Sequence, residues 1–127
     1  MVSYIAYLRK DESSDYGVEF PDLPGCVTAG RTIDEARAMA AEALAGHVTA
    51  LEAENLPVPP PSTLEALRND PDRLDAVVLL VDLDPDLLKP ERVNVMIPRH
   101  LLGRIDAASG GNRSRFLVEA AEQKLAG

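Results

Sequence analysis

Cysteine is nearly absent from this 127-residue chain, which carries only Cys26. One thiol forms no internal disulfide and cannot complete a zinc site by itself. Tryptophan is missing and aromatic residues make up 4% of the sequence. Any core must therefore be built from Ala, Leu, Val and Ile. No apolar window approaches the ~20 residues of a membrane span. The opening stretch MVSYIAYLRKDESSDYG becomes charged after a short apolar run, unlike a secretory leader. A soluble cytoplasmic protein with no membrane partner is the expectation. With 46% hydrophobic residues, the chain can bury a core and is not expected to be disordered throughout.

Positive charge is scarce, and it is unevenly placed. The net charge of -8 argues against nucleic acid as a partner until the chain is divided. Residues 1–88 hold 6 Lys+Arg and 17 Asp+Glu, a net of -11, whereas residues 89–127 hold 7 and 4, a net of +3. A basic end on an acidic body points to two functions in one chain.

The first part reads as a small α+β unit. Ser3–Leu8 (SYIAYL) is β-prone, and Gly17–Phe20 (GVEF) alternates apolar and polar residues. Pro21-Asp22-Leu23-Pro24-Gly25 is a rigid turn, and Cys26–Ala29 is a short third strand. Thr32-Ile33-Asp34-Glu35 has the form of a capping box and opens a helix expected to run to about Glu54. Its apolar stripe is expected at Ile33, Ala36, Ala40, Ala43 or Leu44, His47 and Leu51. Pro57–Pro61 (PVPPP) is a stiff connector, after which Ser62 or Thr63 is expected to cap a short helix through Leu67. The unbroken apolar run Ala76–Val81 (AVVLLV) suggests a returning strand buried on both faces.

Asp84–Pro90 (DPDLLKP) separates this unit from a different pattern. Arg92 to Ile97 alternates, with Val93, Val95 and Ile97 on one face and Arg92, Asn94 and Met96 on the other. Pro98 suits the first turn of a helix bearing Leu101, Leu102, Ile105 and Ala108. Ser109-Gly110-Gly111-Asn112 breaks that helix, and Ser114 is expected to cap a second one bearing Leu117, Ala121 and Leu125. A lone strand with two short helices leaves its ladder unmade and its apolar face bare. A second copy solves both problems: Val93, Val95 and Ile97 become a dimer core, and Arg92, Asn94 and Met96 face outward on a two-stranded ribbon. Such a ribbon fits the DNA major groove, where Arg reads guanine, Asn reads adenine and Met touches a thymine methyl. Arg113, Ser114 and Arg115, at a helix start, are placed to anchor a phosphate.

This second part resembles the ribbon-helix-helix repressors from Arg92 to about Leu125, although Met96 departs from the polar residue usual on the ribbon. The segment YGVEFPDLPGCVTAG, its continuation TIDEARAMAAEAL from Thr32, and Pro59-Pro60-Pro61-Ser62 together resemble the HicB family of antitoxins. That resemblance implies a partial ribonuclease-H-like domain over 1–83, with an antiparallel sheet and one long helix. A linker would span 84–91, and a dimeric ribbon-helix-helix domain 92–127. It implies a HicA-type toxin as partner, an mRNA-cleaving ribonuclease, together with operator DNA for repression of the chain's own operon. A homodimer is required by the ribbon, and a tetramer through the first domain is compatible with the family.

A ribonuclease-H-like fold raises two-metal hydrolysis, which needs carboxylates clustered in space. Asp15, Glu19, Asp22, Asp34 and Glu35 are the candidates, but each falls where an acid is expected anyway, in a turn, on a solvent face or at a helix start. His47 reads as a core or interface residue, His100 lies near the proposed phosphate contacts, and Cys26 reads as an inert buried thiol. No catalytic residue, metal or cofactor is assigned. The alternatives are an orphan ribbon-helix-helix regulator without a toxin and a ribonuclease-H-like nuclease.

Overall fold

The computed structural model describes residues 2–127. Strands β1 (Ser3–Arg9), β2 (Tyr16–Glu19) and β3 (Val27–Gly30) precede the long helix α1 (Ile33–Ala53). A single 3-10 turn, Pro71–Arg73, leads into β4 (Val77–Asp82), and helices α2 (Arg99–Ser109) and α3 (Arg113–Ala126) follow. The four strands form one antiparallel sheet in the order β3-β2-β1-β4. The chain is thus a mixed α+β protein with a four-stranded sheet and three helices. By contacts it divides into a first unit ending at Pro90 and a second spanning Glu91–Gly127.

Strand β1 is central, and its sequence accounts for this. Tyr4 through Leu8 are all buried, so both faces of the strand are covered. Tyr4, Ala6 and Leu8 lie in the same core cluster as α1, whereas Ile5 and Tyr7 are buried outside it. The Tyr7 hydroxyl donates to Asp70 at 2.9 Å, and the Tyr4 hydroxyl donates to the carbonyl of Pro59. The long stretch between α1 and β4 is therefore tied back to the sheet by the polar ends of two buried rings, as buried tyrosines require.

Helix α1 begins as its sequence specifies. Thr32 Oγ1 accepts from the Glu35 amide at 3.0 Å, and the Glu35 carboxylate reaches back to the Arg31 amide. The helix ends in a Schellman arrangement: Leu56 N–H donates to Leu51 C=O and Asn55 N–H to Glu52 C=O, with Asn55 at φ +56°. Its buried residues are Ala36, Ala40, Leu44, Ala45 and Val48. This shifts the expected stripe. Ile33 is 48% exposed at the first turn, and His47 and Leu51 are half-buried at the margin. A strict four-residue step from Ala36 to Val48 drifts around the helix and carries Val48, rather than His47, onto the sheet.

Three other expectations are corrected. β4 is not buried on both faces: it is an edge strand, with Val77 60% and Leu80 74% exposed. An apolar run alone does not say which strand has neighbours on both sides. No helix forms at Ser62–Leu67. Thr63 caps a single turn, with its hydroxyl accepting from Ala66 N–H. Helix α3 starts two residues earlier than a Ser114 cap would allow, because Asn112 Oδ1 accepts from the Arg115 amide and Ser114 lies inside the first turn. Leu88, in the 84–90 segment, lies beside α1, where a Cβ placed on Gly46 would touch it.

Gly30 is where β3 passes closest to α1. A Cβ there would lie 2.4 Å from the Ala36 backbone nitrogen, inside any permitted contact. Backbone cannot move aside as a flexible side chain can, so Gly30→Ala is expected to destabilise the first unit by roughly 1–3 kcal/mol. Urea denaturation should show a lowered midpoint. A midpoint equal to wild type would mean that β3 and α1 are not packed this closely.

Candidate functional site

The FPDLPGC stretch is a compact wedge between β2 and β3. Phe20 N–H donates to Cys26 C=O, Leu23 N–H to Phe20 C=O, and Cys26 N–H to Leu23 C=O. Phe20, Leu23 and Cys26 point into the core, and Gly25 takes φ +87°, a conformation that favours glycine. Asp22 has a role that sequence reading missed. Its carboxylate accepts from the Ser62 amide at 2.7 Å and from the Ser62 hydroxyl at 2.6 Å. The Asp of this wedge and the Ser after the proline run hold each other, so the two sequence stretches are halves of one structure.

The remaining acidic candidates are occupied by structural roles. Glu19 pairs with Arg9 across β1 and β2, and Glu35 serves the α1 cap. Asp34 lies in the first turn of α1 and Asp15 in the exposed turn before β2. Among the described residues, no three His, Cys, Asp or Glu side chains are grouped to hold a metal ion. His47 is half-buried and His100 is exposed. No helix of the described residues is long and apolar enough to cross a membrane.

The second unit gathers the residues expected to read DNA and to dimerise. Residues 92–97 run up to α2 without being assigned as a strand, since in one chain they have no partner to make a ladder. Val93, Asn94, Val95, Met96 and Ile97 line a groove together with Leu102 of α2 and with Arg113 and Leu117 of α3. Val93 is 71% exposed, Val95 64% and Met96 fully exposed. Ile105 is the one side chain buried in this unit.

The arginines at the α3 start are already engaged. Arg113 clamps Asp106 of α2 through two hydrogen bonds of 2.7 and 2.9 Å, and Arg115 pairs with Glu119 at 3.0 Å. The Arg113 guanidinium holds the Asp106 carboxyl below the usual carboxylate range. The Arg115–Glu119 pair was readable from its four-residue spacing on a helix. The Asp106–Arg113 clamp was not, because it forms only once Gly110, at φ +62°, folds the two helices together. Arg92, Arg99 and Arg104 are exposed and have no ion pair among the described residues.

With this geometry in place, relatives become informative. The family model described as the HicB-like antitoxin of bacterial toxin-antitoxin systems matches residues 4–121. The chain belongs to the HicB-like antitoxin family. A 14.9 kDa protein of Haemophilus phage HP1 is 36% identical over 117 residues, covering 87% of this chain and 88% of the relative. The Burkholderia pseudomallei antitoxin HicB matches with 42% identity and a TM-score of 0.62, over 95% of this chain and 96% of that one. A chain from a HicA3 and HicB3 toxin-antitoxin complex matches with 31% identity and a TM-score of 0.57, over 66% of this chain and all of that one. The HicB resemblance read from the wedge, the capped helix and the Pro-Ser stretch therefore holds, and the structure shows that those stretches build the first unit.

Burial sets the chemistry of Cys26 and Tyr7. Burial pushes the Cys26 thiol up to about 11 from an ordinary 9.0. Burial first, and then the hydrogen bond to Asp70, push the Tyr7 hydroxyl up to about 12 from 10.0. Both groups must stay protonated in the fold while the unfolded chain ionises earlier. Their contribution is whole below the unfolded values and is lost as pH rises through the folded ones. Urea midpoints should therefore fall from about pH 9 to about pH 12. Cys26→Ser should flatten the lower part of that fall, and an alkaline profile unchanged by this substitution would place the thiol in water.

Proposed function

We propose that this HicB-like antitoxin binds and neutralises a HicA-type mRNA-cleaving toxin through a partial ribonuclease-H-like first unit, and that it represses its own operon through a ribbon-helix-helix second unit. The observation that carries the second half is the bareness of residues 91–127. That unit buries one side chain and leaves Val93 and Val95 largely exposed. Exposed apolar surface of this kind marks an interface. Pairing 92–97 with the same segment of a second copy completes the ladder, covers Val93, Val95 and Ile97, and turns Arg92, Asn94 and Met96 outward. The basic charge of this unit favours a duplex. In this reading the antitoxin acts by binding, and no catalytic role is assigned to it.

Charge also supports the first half. Residues 1–88 carry a net of -11, which steers and selects a basic partner. The relative in the HicA3 and HicB3 complex spans 66% of this chain.

The phosphate contacts need refinement. Arg113 and Arg115 are held by Asp106 and Glu119, so they approach a phosphate as ion pairs rather than as free cations, and Ser114 sits beside them in the first turn. Their share of phosphate binding is accordingly smaller than that of free arginines. Arg92 has no such tether and carries base reading. Operator titrations with Arg92→Ala should show a loss of roughly 1–3 kcal/mol per half-site and relaxed sequence preference. Arg115→Ala should weaken all sequences alike and flatten the salt dependence. If Arg92→Ala changes neither affinity nor preference, the ribbon does not read DNA.

The two functions should separate within the full chain. Val95→Asp buries an unpaired charge in the small dimer core, which costs several kcal/mol. It should abolish operator binding while leaving protection from toxin in place. A Val95→Asp variant that still represses its operon would contradict the ribbon reading.

A further inference from the structure

Charge in the second unit is not shared evenly between its helices. Six Lys and Arg lie in residues 91–127. Arg113 and Arg115, both on α3, are neutralised by Asp106 and Glu119. Four have no ion pair among the described residues. Of these, Arg92 lies on the ribbon segment and Lys124 in the last turn of α3. Arg99 and Arg104 both belong to α2, and both are exposed, as is His100. At 3.6 residues per turn, Arg99, His100, Gly103, Arg104 and Ala107 share one side of α2, all of them exposed. Leu102, Ile105 and Ser109 share the covered side. The one acid of α2, Asp106, is already held by Arg113.

We infer that the outer side of α2 is a second DNA-contacting surface, on which Arg99 and Arg104 hold the phosphate backbone beside the groove that the ribbon enters. This rests on the DNA reading proposed above, and it gives the main backbone contacts to α2 rather than to the start of α3. Chain connectivity supplies the first argument. Arg99 follows Ile97, the end of the ribbon segment, by two positions, so their Cα atoms lie no more than about 7 Å apart. A duplex seated on the ribbon brings its flanking phosphates to that place.

The lack of any local role supplies the second argument. Arg99 stands in the first turn of α2, where the helix dipole disfavours a cation. Arg104 has His100, Leu101, Ala107 and Ala108 at the spacings where an acid would pair with it along the helix. Gly103 weakens a helix interior, and a Cβ there would meet nothing, so packing within the protomer does not call for it. Its missing side chain lets the backbone of α2 lie closer to another surface. Two such basic surfaces would repel each other, which excludes a second copy on this side. An acidic protein would answer the arginines equally well, but it has no reason to sit at the ribbon's end.

Titration of a duplex from the chain's own promoter at several KCl concentrations tests this, with a random-sequence duplex of equal length alongside. Arg99→Gln with Arg104→Gln removes four contacts per dimer at about 0.9 each, so the slope of log affinity against log salt should flatten by roughly 3–4. Both duplexes should weaken alike, and the preference between them should persist. Arg99→Lys with Arg104→Lys keeps the charge and should keep the slope. Lys124→Gln removes an unpaired charge from the far end of α3 and should leave the slope at the wild-type value. A glutamine pair with the wild-type slope, or with a change no larger than that of Lys124→Gln, would overturn the inference. Loss of protection from toxin with an unchanged slope would also overturn it and assign the arginines to a protein. If wild type does not prefer the promoter duplex, the DNA reading itself falls. If that preference is present and the glutamine pair leaves the slope intact, only the assignment to α2 falls.

Discussion

Backbone amides and carbonyls must find partners, and two segments of this chain do not find them within one copy. One is 92–97, which lies against α2 and α3 with no ladder at all. The other is the outer side of β4. Both are rich in Val, Leu and Ile, so the unmade hydrogen bonds coincide with uncovered apolar surface. A strand that is apolar and unpaired costs free energy twice, and pairing with a second copy removes both costs at once. The first unit folds around its own core, because β1 is covered on both faces and α1 seals one of them. The second unit has no such core. Under the proposed reading it becomes a stable structure only as half of a larger one, so that its assembly and its binding of DNA would be the same property.

The charge asymmetry follows this division. An acidic unit suits a basic protein and is repelled by a duplex, whereas a weakly basic unit can approach DNA, the more so if the proposed dimerisation doubles its charge. Under the proposed function, linking the two would couple the toxin's presence to the operator's occupancy in one molecule. The ion pairs of the second unit add a constraint. Asp106 of α2 holds Arg113 of α3 and so ties the two helices together, whereas the Arg115–Glu119 pair lies within α3.

Much of this was legible in the sequence. The capping box at Thr32, the positions of β1 and α1, and the break at Gly110-Gly111 follow from local chemistry, and the structure agrees with each. The FPDLPGC and Pro-Ser stretches marked the family, but their physical link through Asp22 and Ser62 could not be read, since nothing local pairs residues 40 apart. The exposure of β4 was missed for a related reason. An apolar run reports that a strand dislikes water, and it does not report whether the neighbour that covers it belongs to the same chain. The Ser114 cap was misplaced because Asn112, two residues earlier, caps the helix first by accepting from the Arg115 amide. The ribbon residues were proposed from alternation, a pattern that is present in the sequence although the segment forms no ladder within one chain.

Amide hydrogen exchange over residues 92–97 tests the central claim most directly. If this segment is paired with its counterpart in a second copy, its amides should be protected in the free protein at micromolar concentration. Protection should weaken on dilution or with Val95→Asp, and it should rise further with operator bound. Full-rate exchange at every amide of 92–97, in a sample that is dimeric or larger, would contradict the account.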